Sequence, residues 1–153
     1  MAHNATLAPD AIFHSDPWAE LEGIAADVSF AVLLDGKARS GTIYLADTAR
    51  AQVFLMDWKR RLDVAPDAWD QHPLNDIFAE VSEGRDPGYT WQNLPPGLCY
   101  IFDRAEETAG AGVRPVVEHL QASRDITSVG SPKQVRRVER LRSIDSMLGL
   151  ASD

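Results

Sequence analysis

The chain has 153 residues, 44% of them hydrophobic and 25% charged. That composition suits one soluble domain and excludes a disordered tail, a collagen-like fibre and a disulfide-dense mini-protein. Its 15 Lys and Arg against 23 Asp and Glu leave a formal charge of −8, which repels a phosphate backbone and argues against a nucleic-acid partner. Cys99 is the one cysteine, so no internal disulfide is expected, and a reducing, cytoplasmic location is the simplest expectation. Apolar runs such as Phe30–Leu34 fall far short of the roughly 18 residues of a membrane span. Met1-Ala2-His3-Asn4 lacks the basic-then-apolar pattern of a signal peptide.

In chain order, Ala11-Ile12-Phe13 reads as a short strand halted at Asp16-Pro17, and Pro17–Ile24 as a short helical turn. Val28–Leu34 is a near-continuous apolar run ending at the turn pair Asp35-Gly36, the pattern of a central strand buried on both faces. Thr42–Leu45 is a further strand. Asp47 is placed to cap a helix over about Ala49–Leu62, whose apolar face is Ala51, Phe54, Leu55, Trp58 and Leu62. Lys59, Arg60 and Arg61 fall in its last turns, where cations oppose the helix dipole, and Pro66 stops it. A second helix begins near Asp70 or His72. Its stripe is Leu74, Ile77, Phe78 and Val81, closed by Gly84. Strands are expected at Tyr89–Leu94 and Leu98–Phe102, around Pro95-Pro96-Gly97. A surface loop is expected over Arg104–Gly112 and a short strand from Val116-Val117.

Residues 127–153 differ from residues 1–126. Ser131-Pro132 is a helix start. Within residues 133–142, Lys133, Arg136, Arg137, Arg140 and Arg142 stand against the single carboxylate of Glu139, while Val135, Val138, Leu141, Ile144 and Leu148 form an apolar stripe. Such a helix either packs back on its own acidic domain or docks a partner.

Three clusters can carry chemistry. Ser40-Gly41-Thr42 enters a strand, and Gly41 without a Cβ permits close approach of a ligand; a plain turn reads the same way. Asp70-Gln71 opens a helix, where Asp70 is either the N-cap or a carboxylate facing a cleft, able to accept sugar hydroxyls or act as a base. His119 ends a strand with Glu118, Gln121, Ser123 and Arg124 nearby; it is either a core histidine or a ligand, and Arg124 suits bidentate contact with phosphate.

The order of these clusters is more specific than any one of them. Asp10-Ala11-Ile12-Phe13 with Asp16-Pro17-Trp18, then Ser40-Gly41-Thr42, Trp69-Asp70-Gln71 with Leu74-Asn75, Leu94-Pro95-Pro96 with Cys99-Tyr100, and Glu118–Arg124 resemble the C-terminal half of nucleotide-diphospho-sugar transferases of the GT-A glycosyltransferase type. The resemblance runs from about Asp10 to Arg124. It implies an α/β fold: an incomplete GT-A-like mixed sheet flanked by helices, followed by the basic C-terminal helix. It implies Asp70 and Gln71 as catalytic residues and Ser40, Gly41, Thr42, Ser123 and Arg124 as substrate-binding residues. It further implies Asp10 and His119 as ligands of Mn²⁺ or Mg²⁺, with Ala8 standing where the Asp-x-Asp pattern has its first Asp.

Only nine residues precede Asp10, so the nucleotide-binding half of such an enzyme is expected to be missing and a sheet edge to be left open. A homo-oligomer mate or a separate partner chain would cover that edge. Two functions follow: a glycosyltransferase-like protein acting on a nucleotide-sugar, active or formerly so, or a non-catalytic interaction and assembly subunit built on the same fold.

Overall fold

A computed structural model describes residues 4–7, 11–104, 110–120, 130–147 and 149. The architecture is mixed α/β, with two small sheets in place of the single mixed sheet expected. The first sheet has the order β1–β4–β3–β5, formed by Asn4–Leu7 (β1), Val28–Val32 (β3), Ala38–Leu45 (β4) and Trp91–Asn93 (β5). Its β1/β4 and β3/β4 pairs are antiparallel and β3/β5 is parallel. The second sheet has the order β2–β7–β6, formed by Ala11–Phe13 (β2), Tyr100–Ile101 (β6) and Val117–His119 (β7).

The helices are α1 (Trp18–Leu21), α2 (Ala49–Val64), α3 (Gln71–Ser82) and α4 (Pro132–Met147), with a 3₁₀ turn at Pro96–Cys99. Thr48, not Asp47, caps α2: its hydroxyl accepts the Ala51 N–H at 3.1 Å, as a β-configured hydroxyl residue at this position does. The expected strand at Leu98–Phe102 begins two residues later, because Leu98 and Cys99 belong to the 3₁₀ turn.

Apolar side chains fill both faces of the four-stranded sheet. On one face Val28, Phe30, Ile43 and Leu45 pack with Phe54 of α2 and Leu74 and Ile77 of α3. Phe30 stacks on Trp91 with ring centroids 5.3 Å apart. On the other face Ala31, Leu33 and Tyr44 pack with Leu98, Cys99, Ile101 and Val117 from the 3₁₀ turn and the second sheet. The sheet is therefore flanked by helices on one side and by a second sheet on the other. Burial on both faces explains why Val28–Leu34 reads as an unbroken apolar run.

The β3–β4 hairpin turns at Asp35-Gly36, as the sequence predicts, with Gly36 at φ 72°. At its tip Val32 lies opposite Ala38, beyond the ends of the flanking strands. Two asparagine side chains stand in for the strands that run out. Asn75 of α3 accepts the Ala38 N–H at 3.0 Å and donates to the Ala38 carbonyl at 3.3 Å. Asn93 accepts the Val32 N–H at 2.6 Å and donates to the Val32 carbonyl at 3.0 Å. The edge expected to be open is closed at these positions by amides that copy a strand's own hydrogen bonds.

Candidate functional site

The site forms where β4 breaks register. Phe30 pairs with Ile43, but the next residue, Ala31, pairs with Arg39. Ser40, Gly41 and Thr42 have no opposite residue on β3, while on its other side β4 stays paired, Thr42 with Leu7. A bulge of this kind bends a strand and re-aims its side chains.

Here it brings both Gly41 and Thr42 against His119 of β7. The Thr42 hydroxyl and His119 Nε2 lie 2.8 Å apart. A Cβ built on Gly41 would stand 3.1 to 3.3 Å from three atoms of the imidazole ring, so the glycine is what lets the ring approach the strand this closely. Thr42 and His119 are both buried, and Ser40 is half-buried beside them.

Two further residues join the cluster. Cys99 hydrogen-bonds to Thr42, and burial raises its thiol pKa to about 11 against the opposing influence of the Arg39 guanidinium. Arg39 is buried at the start of the bulge and reaches Asp35 at the hairpin turn, which Arg104 also approaches at 3.7 Å. Arg39 borders the Ser40-Gly41-Thr42 cluster and Cys99 falls in the Cys99-Tyr100 pair, but the sequence assigns neither a role of its own. The available signal was positional: Arg39 immediately precedes Ser40-Gly41.

The second sheet carries the remaining geometry. Ala11 is the register partner of His119, so the chain enters β2 beside the histidine. Asp10, the residue before Ala11, lies outside the described residues, as do Ala8, Ser123 and Arg124. Among the described residues no group of three metal-ligating side chains occurs.

The β7 pleat sends Val117 and His119 toward the first sheet and Glu118 the opposite way. Glu118 is 0% exposed. Arg140 of α4 donates to both its carboxylate oxygens, each at 2.8 Å, and His14 Nε2 lies 2.6 Å from Oε2. The bond to Glu118 raises the pKa of Arg140 further. Arg137 adds a hydrogen bond from Nε to the Leu120 carbonyl at 2.8 Å, and Ile144 is buried. The basic helix thus packs back on its own domain, one of the two outcomes expected.

It does so with only part of its apolar stripe. Arg137, Arg140 and Ile144 turn inward, while Val135, Val138 and Leu141 are 47%, 39% and 37% exposed; Leu148 lies outside the described residues.

Asp70 and Gln71 sit at the N-terminus of α3. The Asp70 carboxylate is exposed and accepts the Gln71 N–H at 2.9 Å, and the Asp70 carbonyl accepts the Trp58 indole N–H at 3.0 Å. Asn75 carries this helix end to β4, bonding both Gln71 and Ala38. The structure therefore joins Gly41, Thr42 and His119 directly, but the Asp70–Gln71 turn belongs to α3 on the helix-covered face of the sheet, opposite the second sheet that carries His119.

No family model, no curated protein and no solved structure matches the chain. Among the described residues no helix is long and apolar enough to cross a membrane.

Proposed function

We propose that the chain is a glycosyltransferase-like protein related to nucleotide-sugar-dependent transferases, with its donor site at the β4 bulge. The observation that carries this reading is the convergence of the Gly41-Thr42 pair with His119, 77 residues beyond Thr42 in sequence, beside Ala11 at the start of β2. Ser40, Gly41 and Thr42 would line the sugar pocket, Ser123 and Arg124 would contact the donor, and Asp70 with Gln71 would orient the transferred sugar. Asp10 and His119 offer the carboxylate and imidazole chemistry for Mn²⁺ or Mg²⁺, which when bound neutralises a leaving diphosphate.

Calorimetric titration with a panel of nucleoside-diphosphate sugars, with and without Mn²⁺, tests it. Binding heat in the native protein that disappears in His119→Ala is expected. No heat with any donor overturns the reading.

A second reading, a non-catalytic assembly subunit on the same fold, is favoured by the burial of Thr42, Cys99 and His119. A closed polar core holds two sheets together without needing a substrate. Binding without any donor hydrolysis or sugar transfer would favour a regulatory site. Absence of both binding and turnover would favour the assembly role.

A further inference from the structure

Helix α4 is docked by two arginines and Ile144, while Val135, Val138 and Leu141 of its apolar stripe stay exposed, unlike an ordinary surface helix. Its arginines 137 and 140 reach inward to Leu120 and to the buried Glu118. Its valines and Leu141 face solvent, and a shallow groove on the outer side is lined by Gln134, Val135, Val138, Glu139 and Arg142.

Glu139 and Arg142 are exposed, of opposite charge and three residues apart. Among the described residues the outward charges balance, Arg136 and Arg142 against Glu139 and Asp145. Such a surface has no net attraction for an anionic membrane, but it is complementary to itself.

We infer that the outer face of α4 is a homotypic interface that docks the same helix of a second copy in antiparallel orientation. A two-fold axis beside residues 140 and 141 sets Glu139 of each copy against Arg142 of the other. The same axis brings Val138 to about 3 Å along the helix from Leu141 of the second copy, within side-chain reach. An isologous contact of this kind needs one patch that matches itself under two-fold rotation, and an oppositely charged pair flanking an apolar stripe meets that condition. A 16-residue helix is about 24 Å long, so the strip it offers falls below the roughly 800 Å² per partner of a standard interface. The association is therefore of the weak, transient class. The inference rests on α4 alone and holds whether or not the chain binds a nucleotide-sugar.

Sedimentation equilibrium of the full chain from micromolar to millimolar concentration tests it. A monomer–dimer equilibrium is expected, weakened about tenfold or more by Val138→Asp, by Glu139→Arg and by Arg142→Glu. The double variant Glu139→Arg/Arg142→Glu restores the pairs in reversed order and should recover the dimer. All three positions are on the solvent side, and far-UV circular dichroism checks that each variant keeps its helix content. A monomer at every concentration overturns the inference. So does a dimer that the single charge reversals leave untouched. Flotation with phosphatidylserine vesicles that is lost in Val138→Asp, in a protein that stays monomeric, also overturns it and assigns the face to lipid.

Discussion

Arg140 grips Glu118 with two parallel hydrogen bonds of 2.8 Å across 22 residues of sequence. The carboxylate has no exposed surface, and its remaining partner is His14 at 2.6 Å. Removing one member of a buried pair strands the other's charge, at a cost of about 3 kcal/mol. Arg140→Ala should therefore lower the urea midpoint sharply. The double variant Glu118→Leu/Arg140→Leu should recover most of the loss, since no charge is left buried. Equal losses in single and double variants would show that packing, not charge, holds α4 in place.

Gly41→Ala should perturb the fold through one contact. The new methyl would meet the His119 ring at 3.1 to 3.3 Å, and relieving that crowding costs about 1–2 kcal/mol. The His119 imidazole resonances should shift on substitution, and their coupling to the Thr42 hydroxyl should weaken. Unchanged resonances would mean that the ring has room the structure does not give it.

Asn75→Asp keeps shape and removes donors. The native amide donates to the carbonyls of Ala38 and Gln71; a carboxylate would face both with like polarity. A loss of about 2 kcal/mol in urea unfolding is expected. Hydrogen exchange should quicken first at the hairpin tip.

Asp27 gives stability a pH dependence of known sign. Its carboxylate accepts the Thr90 N–H at 2.9 Å, the Thr90 hydroxyl at 2.7 Å and the Thr48 hydroxyl at 2.9 Å. The Thr90 backbone bond leads in holding its pKa below the ordinary 3.8. A folded-state pKa below the unfolded value means that the stabilisation is fully present above 3.8 and is lost as pH falls through the lowered value. The advantage of the native protein over Asp27→Asn should therefore hold near neutral pH and shrink below about pH 4. Urea titrations at a series of pH values measure it.

Cys99 should resist thiol reagents until the protein unfolds. It is buried, and its pKa is pushed up to about 11, so at neutral pH almost no thiolate is present to react. Labelling by iodoacetamide should be slow in buffer and quick in denaturant. Rapid labelling of the folded protein would show that the two sheets part readily.

The helices were the legible part of the fold. The stripes of α2 and α3 follow from local periodicity, and the Asp35-Gly36 turn from local chemistry. The bulge was not legible, because it is a property of how β3 and β4 pair and no pattern within either strand records it. Gly41, Thr42 and His119 were each visible as candidates, yet only register shows that they meet. Glu118 carried a signal that could have been used: a carboxylate between Val116, Val117 and Leu120 demands a buried cation, and the nearest supply is the arginine-rich helix. That demand also explains why Val135, Val138 and Leu141 of the α4 stripe face outward while Ile144 is buried. The helix is oriented by one buried carboxylate, which outweighs the preference of its valines.

The paired asparagines at the hairpin tip have a consequence for aggregation. A fibril or a donor strand grows on a sheet by finding bare N–H and C=O groups to copy, and at Val32 and Ala38 each such group is already held by a side-chain amide. Templating at the tip would first have to evict Asn75 or Asn93. That end of the sheet is sealed against recruitment by residues that belong to no strand pairing there.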